Sequence, residues 1–434
     1  MAVITATPGT ATQSNSKQSF KIAFALVTAL FFSFGFITCL NDILVPHLKS
    51  LFTLNYTEAA LIQFCFFSAY FFMSLPSGKI VSRIGYKRGT IVGAVVTAFG
   101  CLLFYPAAEL QSYWVFLFGF FILASGITLI QVAVNPYVAV LGPAETASGR
   151  LTLAQAFNSL GTTIAPLFGS FLILSASSKS VDDVKSLDGP ALAAYHTAQA
   201  HSVQGPYIGL AVALCILAVI VSFFKLPSIL SPEDDLSGVT LKEELSSAWR
   251  YRHLLLGAIG IFTYVGAEVA IGSYLVNFIN LPEIGGIAEA TAAKYVSLYW
   301  GGAMVGRFIG AAVLQKVRPG KVLTFNAICA GLLVLIAMIS SGPVAMYAIL
   351  AVGLFNSIMF PTIFTLAIKG LGKHTPQGSG VLCMAIVGGA VIPLVQGTIA
   401  DALGLHHSFI LPVICYGFIA YYGLEGYKHI VRKA

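Results

Sequence analysis

The sequence predicts an all-α membrane protein whose twelve transmembrane helices form two pseudo-symmetric six-helix bundles. Composition is the first reason. Of 434 residues, 57% are hydrophobic and 9% charged, and the mean hydropathy is +0.86, whereas about a quarter of the residues of a soluble globular chain are charged. The second reason is length. Apolar runs of about 17 to 25 residues, enough to cross a bilayer as a helix, recur twelve times, and no dyad alternation of a barrel strand is visible. The third is internal repetition: Pro136 matches Pro361 at an offset of 225, and Gly161 matches Gly388 at 227, as Pro166 matches Pro393.

Residues 1–19 are polar and rich in Ser, Thr and Ala, with no separate apolar core before a cleavage site. They read as a disordered cytoplasmic tail. The first bundle, residues 20–226, has spans beginning near Ile22, Ala59, Thr90, Trp114, Leu151 and Tyr207. Residues 227–251 hold most of the acids assigned to the cytoplasmic side and read as a surface linker with one short amphipathic helix from Leu241 to Trp249. The second bundle, 252–434, has spans beginning near His253, Ala292, Leu323, Val344, Gly378 and Ser408. With both termini in the cytoplasm, nineteen of the 24 Lys and Arg fall inside, four outside, and Arg307 lies within a span. The basic excess is therefore a topology signal, which accounts for the net charge of +7 without any nucleic acid partner. The expected location is a bacterial inner membrane.

Several features carry little chemistry. The seven cysteines all fall in apolar spans without metal-ligand spacing, so they read as small packing residues. His406 and His407 are adjacent, a poor spacing for ligands on one helix face. Arg307, near the cytoplasmic end of its span, reads as a snorkelling or loop-capping base. The triplet Asn55-Tyr56-Thr57 matches a glycosylation acceptor but is short. No cofactor motif, metal cluster or catalytic triad is present, so no enzyme is expected.

Two acids stand in hydrophobic spans, Asp42 in the first and Glu268 in the seventh, 226 residues apart. A charged carboxylate at the centre of a bilayer helix costs about 2.5 to 3.5 kcal/mol on insertion scales, so such groups usually face a wet cavity on an ion or substrate pathway.

The loop with Gly78, Arg83, Gly85, Lys87 and Arg88 resembles the signature between helices 2 and 3 of the major facilitator superfamily, with Ser82 where an acid is common. From LNDILVPHL through QVAVNPYVAVLG, RLTLAQAFNSLGTT, VGAEVAIGSYLVNF and FNSIMFPTIF to LCMAIVGGAVIP, the chain is similar to the fucose permease family, within it to the glucose/galactose transporter branch. The resemblance implies a major facilitator fold and a symporter that imports a hexose, glucose or galactose, by alternating access. Another monosaccharide (fucose, mannose or N-acetylglucosamine) is the alternative, and a drug effluxer the remaining one. Membrane lipid is the expected surrounding and a monomer the expected functional unit.

Sugar hydroxyls need donors and acceptors while the ring face needs an apolar platform. Amides occur at helical spacing: Gln131 and Asn135 four apart on span 4, where Pro136 frees a backbone carbonyl, and Gln155 and Asn158 three apart on span 5. Span 7 offers Tyr264 and Glu268, with Asn277 beyond; span 10 offers Asn356, in register with Gln131. The resemblance puts these helices around the sugar cavity. It also ties the aspartate matching Asp42 to proton coupling, together with a span 4 glutamate. That position is Gln131 here, while Glu268 stands where fucose-type relatives carry glutamine. The coupling ion is therefore a proton or sodium, the latter suited by a carboxylate beside the neutral oxygens of Asn41 and Thr38.

Overall fold

The computed structural model describes residues 22–39, 52, 56–169, 189–190, 197, 201, 203–224 and 251–428. Helix is the only regular structure among them. Helix α1 is Ile22–Cys39. The next stretch, Tyr56–Leu102, is continuous for 47 residues except at Gly85, which has φ 81° and ψ 164°. At 1.5 Å per residue such a rod would be about 70 Å long, more than twice the ~30 Å hydrocarbon thickness. Gly85 divides it into α2 (56–84) and α3 (86–102), using a left-handed conformation that only glycine adopts at no steric cost. Helices α4 (Tyr113–Val140), α5 (Ala147–Gly169) and α6 (Gln204–Phe223) complete the first half.

The second half begins with α7 (Arg252–Asn280), α8 (Glu289–Val313) and α9 (Pro319–Ile339). Its α10 is broken into Gly342–Asn356 and Met359–Ala367. In α11 a 3-10 turn, Ala385–Val387, joins Thr375–Met384 to Gly388–Leu403. Helix α12 comprises Leu405–Ser408, Ile410–Tyr421 and a final wide turn, Tyr422–Gly426. Ten stretches of the described residues are long and apolar enough to cross a membrane. The division at Gly85 makes one of them two passes, and α5, too polar for that criterion because of its amides and hydroxyls, is the twelfth.

The duplication is visible in the packing. A Cβ on Gly161 would stand 2.3 Å from the Phe32 carbonyl oxygen, and one on Gly388 would stand 2.1 Å from that of Phe262. Glycine thus lets α5 lie on α1 as α11 lies on α7, the close approach that small residues permit in membrane helices. The two matched prolines also act alike. Each lacks the N–H that would bond the carbonyl four residues back. The carbonyl released by Pro136, that of Val132, accepts from Ser379 Oγ on α11 at 2.9 Å. The carbonyl released by Pro361, that of Ser357, accepts from Arg307 Nε on α8 at 3.2 Å.

Contacts between the halves gather at the end that carries the basic turns 78–89 and 310–321. Ser379 to Val132 is one; Ser148 Oγ and Thr365 Oγ1, 2.6 Å apart, form another. A Cβ on Gly380 would meet the Ser74 carbonyl at 2.7 Å, so α11 and α2 touch there by backbone. The expected tail 1–19 and all of the expected linker but Tyr251 lie outside the described residues.

Candidate substrate-binding cavity

Midway along the helices, between the two halves, lies a cavity of about 550 Å³, within the usual range for small-ligand sites. Six of the residues expected from the sequence line it: Thr38, Gln131, Gln155, Asn158, Tyr264 and Glu268. The first half contributes neutral groups. Gln131 Nε2 donates to the Tyr70 hydroxyl at 2.7 Å, which leaves its carbonyl oxygen for a ligand. Asn158 Nδ2 donates to the Phe31 carbonyl at 3.0 Å, tying α5 to α1 and likewise leaving Oδ1 available. Ser159, Thr162 and Thr163 add hydroxyls from the same helix. Thr38 Oγ1 donates to its own helix at Phe34 O.

The second half contributes charge. Glu268 on α7 accepts from the Tyr264 hydroxyl, one turn earlier, at 2.7 Å. Its Oε1 is 3.9 Å from Arg307 Nη2 on α8, and these side chains are only 12% and 14% exposed. Arg307 also donates through Nη1 to Ser159 Oγ, across the boundary between the halves. The guanidinium therefore joins three helices while its charge offsets that of the carboxylate. Trp300, on α8 and in the lining, supplies an aromatic face suited to the C–H surface of a sugar ring.

This corrects the reading of Arg307 as a snorkelling base: it turns inward. The sequence does not reveal the break in α10, whose freed Ser357 carbonyl helps to hold the guanidinium. The rule that makes an intramembrane acid functional applies equally to arginine, and that signal was available. Tyr70 and Trp300 were not singled out either, because aromatic residues are ordinary core material in membrane helices.

Three expected residues are outside the lining. Asn277 is exposed on α7; nine residues beyond Glu268, at about 100° each, place it on the opposite face. Asn135 is fully buried beside Cys383 of α11, one turn from Gln131 toward the basic end, where α4 and α11 pack together. Asn356 is fully buried as well. Its Nδ2 donates to the Tyr299 hydroxyl at 2.8 Å, and its Oδ1 accepts from Tyr416 at 2.7 Å. Asn41 and Asp42 lie outside the described residues. His406 is not arranged as a metal ligand with His407; its Nε2 is 2.7 Å from the Ala337 carbonyl.

Two six-helix bundles around a polar cavity, with two helices of the second bundle broken beside it, have the build of a secondary transporter. The Major Facilitator Superfamily model matches residues 26–385, and the chain belongs to that superfamily. It is 55% identical over 417 residues to a glucose/galactose transporter of Brucella abortus, covering 96% of this chain and 97% of that one. It is 37% identical to the L-fucose-proton symporter of Escherichia coli over 94% of this chain and 93% of that one. A crystal structure of the superfamily transporter FucP in the outward conformation superposes with a TM-score of 0.86 at 36% identity, covering 93% of this chain and 98% of that one.

Proposed function

We propose that this chain is a cation-coupled symporter that imports a hexose, glucose or galactose, across a bacterial inner membrane by alternating access, acting as a monomer with both termini cytoplasmic. The carrying observation is the cavity itself: Gln131, Gln155, Asn158 and Glu268 meet around one space with Trp300 at its side. Amide and carboxylate groups together offer donors and acceptors in the mixture that a polyhydroxylated ring requires, and an apolar drug would leave them unpaired at about 1 to 3 kcal/mol each. The named sugars of the relatives agree with this chemistry.

With the basic turns on the cytoplasmic side, the contacts of Ser148 with Thr365 and of Ser379 with Val132 close the cytoplasmic end, and the cavity faces outward. Asp42 is the coupling acid in this reading, with Asn41 and Thr38 beside it. A carboxylate that must be neutralised before the cavity reorients links ion to sugar. One charge crossing 100 mV releases about 2.3 kcal/mol, enough for roughly 50-fold accumulation at about 1.4 kcal/mol per tenfold. A proton is the ion favoured by the fucose-proton relative; sodium is the other candidate. Uptake of labelled glucose and galactose by proteoliposomes with imposed pH or sodium gradients tests the proposal. Accumulation above the equilibrium level, collapsed by the matching ionophore, is expected. Simple equilibration under either gradient would contradict it.

A further inference from the structure

A second cavity, of about 750 Å³, lies between the halves at the end that carries the basic turns. The Ser148 to Thr365 hydrogen bond joins the halves in its wall. The α8–α9 turn gives it Lys316 and Arg318, and the α10–α11 turn gives Lys369 and Lys373; the first half gives one charged group, Glu145. None of these four cationic side chains has an ion pair among the described residues, where the pairs are His201–Glu109, Arg307–Glu268 and Lys428–Glu425. The 21-residue helix α9 also starts here, at Arg318-Pro319-Gly320, turning the Gly320 N–H and the positive end of its dipole toward the same region.

Topology accounts for bases on this side of a membrane, but not for four of them around one concave space opposite a single acid. A cleft lined by one sign of charge concentrates counter-ions of the other. Arginine and lysine together with a helix N-terminus suit a phosphate group, and the Tyr86 and Tyr427 side chains in the same lining offer surface for an organic body. We propose that this cavity binds a phosphate ester, monoester or diester, whose organic group is of about hexose size, and that the bound ester holds the two halves together at this end. Both halves line the space, so the ester binds the state in which they meet and draws the population toward it. Transport is thereby slowed from the basic side, without competition for the central cavity.

The shared chemistry, a phosphate monoester or diester, can come from a soluble metabolite or from a phospholipid headgroup, and the test separates them. Glucose 6-phosphate is titrated into the purified full-length chain in detergent and followed by calorimetry. Thermal unfolding is compared in nanodiscs of phosphatidylcholine with and without phosphatidylglycerol. The wild type is expected to bind the ester saturably, and a Lys316→Gln/Lys369→Gln variant at least tenfold more weakly, with an unchanged unfolding temperature in the absence of ester as proof of folding and a Lys369→Arg variant retaining the ester. Stabilisation by phosphatidylglycerol alone, lost in the double variant, assigns the site to a headgroup. No saturable ester binding and no lipid effect, or equal effects in wild type and double variant, would overturn the proposal. Neither readout requires transport, so failure here is distinct from failure of the sugar reading.

Discussion

Gln131 of the first half and Asn356 of the second stand 225 residues apart, and each donates to a tyrosine hydroxyl, Tyr70 at 2.7 Å and Tyr299 at 2.8 Å. The duplicated pair has two fates. Gln131 faces the cavity with a free carbonyl oxygen, whereas Asn356 is sealed by Tyr416, which occupies its Oδ1 at 2.7 Å. A second contrast accompanies this one. The described lining from the first half is neutral, while the second half brings Glu268 and Arg307 and sets them against each other. Duplication thus supplied one scaffold twice, and Tyr416 from α12 closes off the amide in the second copy, while the first copy leaves its amide open to the cavity. A charge pair that offsets itself has little call for an external cation, and this supports the proposal that coupling belongs to the first half.

The largest effect should come from splitting the charge pair. Arg307→Ala leaves Glu268 uncompensated, at about 3–5 kcal/mol for a buried pair broken on one side. A steep fall in thermal stability and in uptake is expected, with stability recovered in Glu268→Gln/Arg307→Gln. An Arg307→Ala protein as stable as the wild type would mean that the pair is not a structural unit.

Next come the two amides, which should respond in opposite ways. Gln131→Ala removes a ligand group, at about 1 to 3 kcal/mol, or roughly 5- to 150-fold in sugar affinity, with little change in unfolding temperature. Asn356→Ala leaves the Tyr416 hydroxyl without its acceptor and the Tyr299 hydroxyl with only its bond to the Glu268 carbonyl, and should lower stability by a similar energy, while the affinity of correctly folded protein stays within about twofold. Equilibrium binding of labelled glucose beside thermal unfolding separates these outcomes; matching behaviour would erase the contrast.

Asn158→Ala should also weaken binding, and by less than Gln131→Ala if its main service is the bond to Phe31. Asn55→Gln, in an expected outer loop, should leave uptake unchanged. Of the predicted losses the smallest is from Ser379→Ala, which removes one bond between the halves, about 0.5–1.5 kcal/mol. It should shift the population toward the state with the basic ends apart by about two- to tenfold. Cysteine accessibility from the two sides of the membrane would register that shift.

Much of this was legible in the sequence because its causes are local or periodic. The apolar runs gave the passes, the matched glycines and prolines gave the repeat, and the Gln155–Asn158 spacing gave a shared face. Two of the three misplaced amides fail for tertiary reasons: Asn356 follows the repeat but meets Tyr416 from α12, and Asn135 shares a face with Gln131 but lies where α11 closes on α4. Asn277 fails by helical periodicity alone, half a turn round from Glu268. Arg307 was misread because nothing in its own span announces Ser159 on α5 or the released Ser357 carbonyl on α10.

The claim that coupling belongs to the first half and that the second-half pair offsets its own charge is tested most directly by one uptake measurement on two variants under an imposed gradient. Glu268→Gln/Arg307→Gln removes both charges together and should still concentrate glucose, with lowered affinity. Asp42→Asn should abolish accumulation yet preserve exchange between preloaded vesicles and medium, since a neutral site can reorient but carries no ion. Accumulation by Asp42→Asn, with mere equilibration by the double variant, would contradict the account and move the coupling site to Glu268.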